Sequence, residues 1–240
     1  MCDARANVLA YPKQLSRLPV KRGVPQSRST LLKDPFTLPQ LLHSTQKLNL
    51  HFYARPAEMV ARELLGSVLL HDGVAGMIVE TEAYLGLDDL AAHASRGRTE
   101  RNKVLFGPAG YTYVYLIYGI HECLNVSAKP DDAPGCVLIR ALEPLCGLRE
   151  MYERRNWHGP VNGLANGPGK LTMALGITRA HYGLPVDEGA LTIRQWKETP
   201  SFEVDVTPRI GITKCADWPL RFLIRGNRCV SKPYSFTKGE

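Results

Sequence analysis

Several things are scarce in this 240-residue chain, and each scarcity removes a class of protein. Its six cysteines (Cys2, Cys123, Cys136, Cys146, Cys215 and Cys229) lie far apart with no C-x-x-C pair. That spacing excludes a zinc ribbon and a small disulfide scaffold and fits a reducing compartment. No uninterrupted apolar run reaches the roughly 18 residues of a membrane span, and the N-terminus lacks the compact apolar stretch of a secretory signal. There is no internal repeat, no sustained heptad and no low-complexity block outside the N-terminal tail, so solenoids and coiled coils are out. Acidic residues are rare at the start: positions 1–50 carry eight Lys or Arg (Arg5, Lys13, Arg17, Lys21, Arg22, Arg28, Lys33, Lys47) against Asp3 and Asp34.

What is present is a chain long enough to bury a real core, with a net charge of +7. All but one unit of that charge falls within the first 50 residues, so the chain is a near-neutral body with a basic arm suited to a polyanion. Recurring prolines (Pro12, Pro19, Pro25, Pro35, Pro39) and weak periodicity predict a largely disordered tail over 1–49. A domain over 50–232 and a short C-terminal tail, 233–240, complete the expected organisation. Within the domain, Pro56 to Leu65 reads as a helix with Met59, Val60, Leu64 and Leu65 on one side. Strand-like runs follow at Ser67–Leu70, Gly76–Tyr84, Tyr111–Tyr118, His121–Ala128 and Gly135–Leu142, with more between Ala190 and Val230. Two further helices are expected, over Pro144–Arg155 and near Lys170–Leu175. The economical reading is one α+β domain built on a mixed or antiparallel sheet.

Strand alternation puts Glu80, Glu82 and Tyr84 on one face of an otherwise apolar run. Carboxylates in such a setting are paired or chemically employed. In Tyr111-Thr-Tyr-Val-Tyr-Leu-Ile-Tyr118-Gly119 the glycine permits a tight turn and leaves Tyr118 at a hairpin tip. An aromatic surface packing a core is the bland explanation of the strand tyrosines, whereas an aromatic at a hairpin tip, Tyr118, also suits a wedge that enters a duplex. Arg140 interrupts the apolar run Val137-Leu-Ile-Arg-Ala-Leu and needs a carboxylate partner, either Glu80 or Glu82. With Glu82, the pair would help keep a base ionised; a plain structural ion pair is the competing explanation. Gly163 to Lys170 imitates a phosphate loop and fails: five residues separate Gly163 from Gly169 where the motif needs four, and Leu171 stands in place of Ser or Thr.

Taken together, Val79-Glu-Thr-Glu-Ala-Tyr84-Leu-Gly, Ala91-Ala-His93, Arg101-Asn102, Tyr113-Val-Tyr-Leu-Ile-Tyr118-Gly, Cys123-Leu-Asn125, Arg140-Ala-Leu-Glu-Pro144, Gly167-Pro-Gly-Lys170-Leu and Pro219-Leu-Arg-Phe resemble the alkyladenine, or 3-methyladenine, DNA glycosylase family from about Phe52 to Ser231. The resemblance implies a single compact domain with a curved, largely antiparallel sheet, flanking helices and a protruding β-hairpin in the DNA minor groove. It implies a monomer that flips damaged purines out of double-stranded DNA and hydrolyses the N-glycosidic bond, without cofactor or metal. Glu82 would activate the water, with Arg140 and the backbone carbonyl of Ile210 helping to hold it. Tyr84 and His93 would form one wall of the base pocket and Tyr115 the other, while Asn125 would reject the exocyclic amine of guanine. Tyr118 would be the intercalating wedge, and Arg101 and Lys170 are candidate phosphate contacts.

One departure from the family pattern is that His121 and Glu122 follow the wedge turn in place of bulkier aromatics, and Glu122 brings a negative charge toward phosphates. No lysine falls in the pocket-forming segments to form a Schiff base, so strand cleavage is not expected. The implied compartment follows the source, cytoplasm with nucleoid in a bacterium or nucleus in a eukaryote, and the Arg- and Ser-rich tail also resembles an organelle transit peptide. Two other readings stay open on residues alone: a metal-dependent nuclease liganded by Glu80 and Glu82, and a non-enzymatic basic DNA-binding module.

Overall fold

The structure, a computed structural model, describes residues 33–130 and 133–231. At its centre are two eleven-residue antiparallel strands, β3 (Val74–Tyr84) and β6 (Cys136–Cys146). Every β3 residue except Tyr84 is buried, which is why its apolar residues run on instead of alternating. β2 (Val68–His71) pairs with the first part of β3, whereas β9 (Arg221–Ile224) pairs with Glu80 to Glu82. Between the two lie register shifts around Ile78 to Thr81. Such bulges bend a strand and increase its twist, and here they let one edge of β3 serve two neighbours in succession.

The sheet continues with β1 (Thr45–Lys47), β4 (Thr112–Ile117), β5 (His121–Ser127), β7 (Leu191–Trp196) and β8 (Val204–Thr207). Its order is β1-β7-β2-β3-β6-β5-β4, with β9 on β3 and β8 on β9. All of these pairings are antiparallel. Helices α1 (Leu38–Ser44), α2 (Ala57–Glu63), α3 (Leu148–Arg155) and α4 (Pro168–Leu175) complete the expected α+β fold. α2 packs on β3 and β6, and α4 on β5 and β6. The Thr81 hydroxyl donates to the Ala61 carbonyl of α2 at 2.7 Å. By strand alternation, Glu80 and Glu82 therefore face the other way.

Three sequence expectations are corrected. Residues 33–49, assigned to a disordered tail, fold onto the domain: Leu41 and Leu48 are buried, and β1 pairs with β7. A capping box starts α1, in which the Gln40 amide donates to the Thr37 hydroxyl at 3.4 Å and the Thr37 amide to the Gln40 side chain at 3.0 Å. Residues 1–32 and 232–240 lie outside the described residues. The second helix begins at Leu148, not Pro144, because β6 runs on to Cys146 and Gly147 turns the chain at φ 75°. In α2, Met59 points outward at 48% exposure, and Ala57, Val60 and Ala61 form the buried face.

Candidate active site

β4 and β5 form the expected hairpin, in register from Thr112↔Val126 to Ile117↔His121. Its turn places Tyr118 (φ 52°) and Gly119 (φ 73°) in left-handed backbone and closes with the Ile120 amide donating to the Ile117 carbonyl at 3.2 Å. Only glycine adopts that conformation readily; for a tyrosine it costs about 1–2 kcal/mol. Tyr118 is 82% exposed and Ile120 70%. The tip thus presents two large apolar side chains, the second of which the sequence reading missed.

Behind the hairpin a cavity of about 210 Å³ is lined by four residues expected in a base pocket, Tyr84, His93, Tyr115 and Asn125, together with Arg140 and Ile210. At roughly 30 Å³ per liquid water this is room for about seven waters, the scale of one nucleobase. The aromatic side is a cluster: the His93 and Tyr115 ring centroids are 4.5 Å apart, and those of Tyr113 and Tyr115 5.2 Å apart. His93 and Tyr115 therefore touch edge to face and do not stand as opposed walls, so a base stacked between them requires one ring to move. His93 Nδ1 lies 2.8 Å from the Tyr113 hydroxyl. His93 keeps an exposed edge, yet its enclosure in this cluster, with Arg101 nearby, lowers its pKa. The Asn125 amide nitrogen donates to the Tyr113 carbonyl at 3.1 Å, which fixes the orientation of its side chain.

Glu82 has no exposed surface and lies behind Tyr84, Arg140 and Ile210. Its carboxylate accepts from the Tyr84 hydroxyl at 3.0 Å and from the Ile210 amide at 2.8 Å, and pairs with Arg140 Nη1 at 3.1 Å. Ile210 thus contributes its N–H to Glu82, where its carbonyl was the group expected to matter. A carboxylate offers about four lone-pair sites, so three of these are occupied. Burial pushes the Glu82 carboxyl above its ordinary value, against the pull of Arg140, the Ile210 amide and Tyr84. Burial raises its proton affinity, and proximity to Arg140 opposes part of that rise.

Both carboxylates claim Arg140, whose Nε donates to Glu80 at 3.0 Å. Glu80 also accepts from Arg221 at 2.7 Å and from the Ser231 hydroxyl at 2.8 Å; the sequence reading quoted Arg221 in Pro219-Leu-Arg-Phe without giving it a role, and gave Ser231 none. A carboxylate pair so committed to guanidinium groups is poorly suited to hold a dication, which removes the support for a nuclease liganded by Glu80 and Glu82. Among the described residues, no group of three or more His, Cys, Asp or Glu side chains is placed to hold a metal ion.

Of the remaining candidates, Arg101 and Lys170 are both exposed and outside the cavity wall. Arg101 lies over the Tyr115 ring, 5.2 Å from its centroid, and Lys170 donates to the Asn166 side chain at 2.8 Å. Glu122 turns toward Arg179, 3.4 Å away, so its charge is partly compensated within the protein. Among the described residues, no helix is long and apolar enough to cross a membrane.

Comparison with known proteins makes this a DNA glycosylase. The chain belongs to the family described as Methylpurine-DNA glycosylase (MPG), whose family model matches residues 51–228. A similar protein from Rhodopseudomonas palustris strain CGA009, provisionally named a 3-methyladenine DNA glycosylase, is 50% identical over 183 residues covering 76% of this chain and 87% of the relative. One from the archaeon Methanoculleus marisnigri, under the same provisional name, is 49% identical over 187 residues, 75% of this chain and 96% of the relative. Residues 33–49 precede the segment the family model matches.

Proposed function

We propose that the protein excises alkylated or deaminated purines from duplex DNA by flipping the damaged nucleotide into the cavity, where a water activated by Glu82 cleaves the N-glycosidic bond. The observation that carries this reading is the buried Glu82 carboxylate, held by Arg140, Tyr84 and the Ile210 amide directly behind a cavity of nucleobase size. Its raised proton affinity suits a general base, and with three lone pairs taken by Tyr84, Ile210 and Arg140 a water must pass the Tyr84, Arg140 and Ile210 wall to reach the fourth. Extrusion costs about a few kcal/mol, less for a lesion, and Tyr118 with Ile120 would fill the vacated stack. Cationic alkylpurines gain about 0.5–2 kcal/mol per electron-rich ring face they meet. Asn125, fixed by the Tyr113 carbonyl, would exclude the amine of guanine. The cavity wall contains no lysine, so the proposed reaction is hydrolysis without a Schiff base and leaves an abasic site.

The test is Glu82→Gln, assayed on methylated duplex DNA for released base. Excision falls by about a hundred- to ten-thousand-fold, the usual worth of a positioned base, while binding to abasic-site DNA is kept. Turnover near the normal rate overturns the assignment.

A further inference from the structure

A second buried ion pair adjoins the cavity. The side chains of Arg209 and Asp89 are both fully enclosed. Their contact is bidentate, Nη1 to Oδ2 at 2.5 Å and Nη2 to Oδ1 at 2.9 Å. Asp89 also accepts the amides of Leu85 at 3.2 Å and Ala91 at 3.1 Å, which fixes the segment following β3. Arg209 in turn donates to the Ala83 carbonyl at 3.0 Å, and its guanidinium carbon lies 4.7 Å from the centroid of the Tyr84 ring. One residue further on is the Ile210 amide that donates to Glu82, and Ile210, Gly211 and Ile212 all line the cavity.

We infer that Arg209, clamped by Asp89, is a positioning residue for excision: one rigid guanidinium holds the Tyr84 ring and aims the Ile210 amide at Glu82. This rests on the proposed roles of Glu82 and Tyr84. Two contacts of the base thus depend on a residue that touches neither the cavity nor Glu82 by hydrogen bond. A planar fork is needed, since it must meet Asp89 through two nitrogens and present a flat face to the ring; a lysine ammonium does one or the other. A merely structural pair would have a different signature, lost stability with the chemistry of each folded molecule unchanged.

The groups facing Glu82 are Glu80 and Tyr84 on β3, Arg140 on β6, Arg221 opposite it on β9, Cys123 on β5, and Arg209 with the Ile210 amide. Arg209→Lys preserves the charge count of this set and loosens one donor.

Single-turnover release of 3-methyladenine from methylated duplex DNA is measured across pH for the wild type, Arg209→Lys, Asp89→Asn and Glu82→Gln, each normalised to the fraction that binds abasic-site DNA. Arg209→Lys is expected to lose about ten- to a hundredfold in rate, the scale of a small misplacement, with DNA affinity nearly unchanged. Its acidic limb should move to higher pH as Glu82 loses a donor. Asp89→Asn moves both readouts the same way and carries the test should the lysine variant not fold. A wild-type rate and acidic limb in these variants, with only a lowered melting temperature, overturns the inference. Activity retained by Glu82→Gln sinks the proposed function instead, so the two failures are distinguishable.

Discussion

Glu82 is raised in proton affinity chiefly because it is buried, and this has opposite consequences for activity and stability. Activity on a cationic lesion needs the ionised base, so kcat/KM falls as pH drops through a value above 4.5, the ordinary value for the carboxyl. An acidic limb at or below that value argues against Glu82 as the base. For stability the sign reverses. A carboxyl whose folded pKa exceeds its unfolded one contributes stability that is complete below the unfolded value and is lost as pH rises through the folded value. Burial of the Glu82 carboxyl therefore costs stability as pH rises above the ordinary carboxyl value. Glu82→Gln should raise the melting temperature there, with the gain shrinking as pH falls toward 4.5. A melting temperature lowered by the substitution at neutral pH, under otherwise identical conditions, contradicts the burial argument. At this scale the sequence was partly legible. One face shared by Glu80, Glu82 and Tyr84 follows from strand period, and an arginine in an apolar run demands an acid. It could not say that Arg140 would serve both acids, because that depends on the bulge at Ile78 to Thr81. The partnerships of Arg209, Arg221 and Ser231 were equally hidden, although Arg221 stands in the Pro219-Leu-Arg-Phe motif: each reaches the site from more than a hundred residues away along the chain.

The β4–β5 hairpin is the element whose local energetics conflict with its sequence. Tyr118 occupies left-handed backbone with its side chain in water, a double penalty that protein stability does not explain. A wedge accounts for both, since the turn projects the ring and the duplex supplies the apolar surroundings. Tyr118→Ser should weaken capture of a lesion in duplex DNA by about tenfold or more, one unstacked step being worth a few kcal/mol, and leave capture of single strands nearly unchanged. Ile120→Ser should do likewise to a lesser degree. Equal losses on both substrates would show that the tip reads something other than the stack. Hairpins are legible when the turn chemistry is explicit, as at Tyr118-Gly119; the turn Asp72-Gly73, which joins β2 to β3 with both residues at positive φ, carries the same signal and was not singled out. Boundaries were less legible where a strand outlasts its apolar run. Glu143-Pro144 looks like the approach to a helix, yet both residues still pair with β3. α1 and β1 escaped notice because the surrounding prolines and basic residues outweighed a short capping box, Thr37-Leu-Pro-Gln40.

At the scale of the whole molecule, most of the net charge precedes the described residues. Residues 1–32 hold six Lys or Arg against Asp3 alone, +5 of the total +7, while residues 33–49 are structural. Two deletions should therefore behave differently. Removing 1–32 should leave the melting temperature in place and flatten the salt dependence of DNA binding, by about 0.9 in the slope of log K against log salt for each phosphate the arm would otherwise neutralise. Removing 1–49 also strips Leu41 and Leu48 from the core and β1 from the edge of β7. Each buried leucine contributes about 1.5–3 kcal/mol, much of it offset by the entropy of ordering the segment. A net loss of about 2 kcal/mol lowers the melting temperature of a domain this size by about 4–8 °C. Thermal unfolding and salt titration of the two truncations decide the matter. Identical melting of the two would mean that residues 33–49 add nothing to the fold, and an unchanged salt slope after the shorter deletion would mean that the basic arm does not touch phosphates. The contrast matters because the family model starts at residue 51. A protein trimmed to that boundary would lose an edge strand along with its basic arm, and weakened DNA binding in it would be misassigned to the missing charge alone.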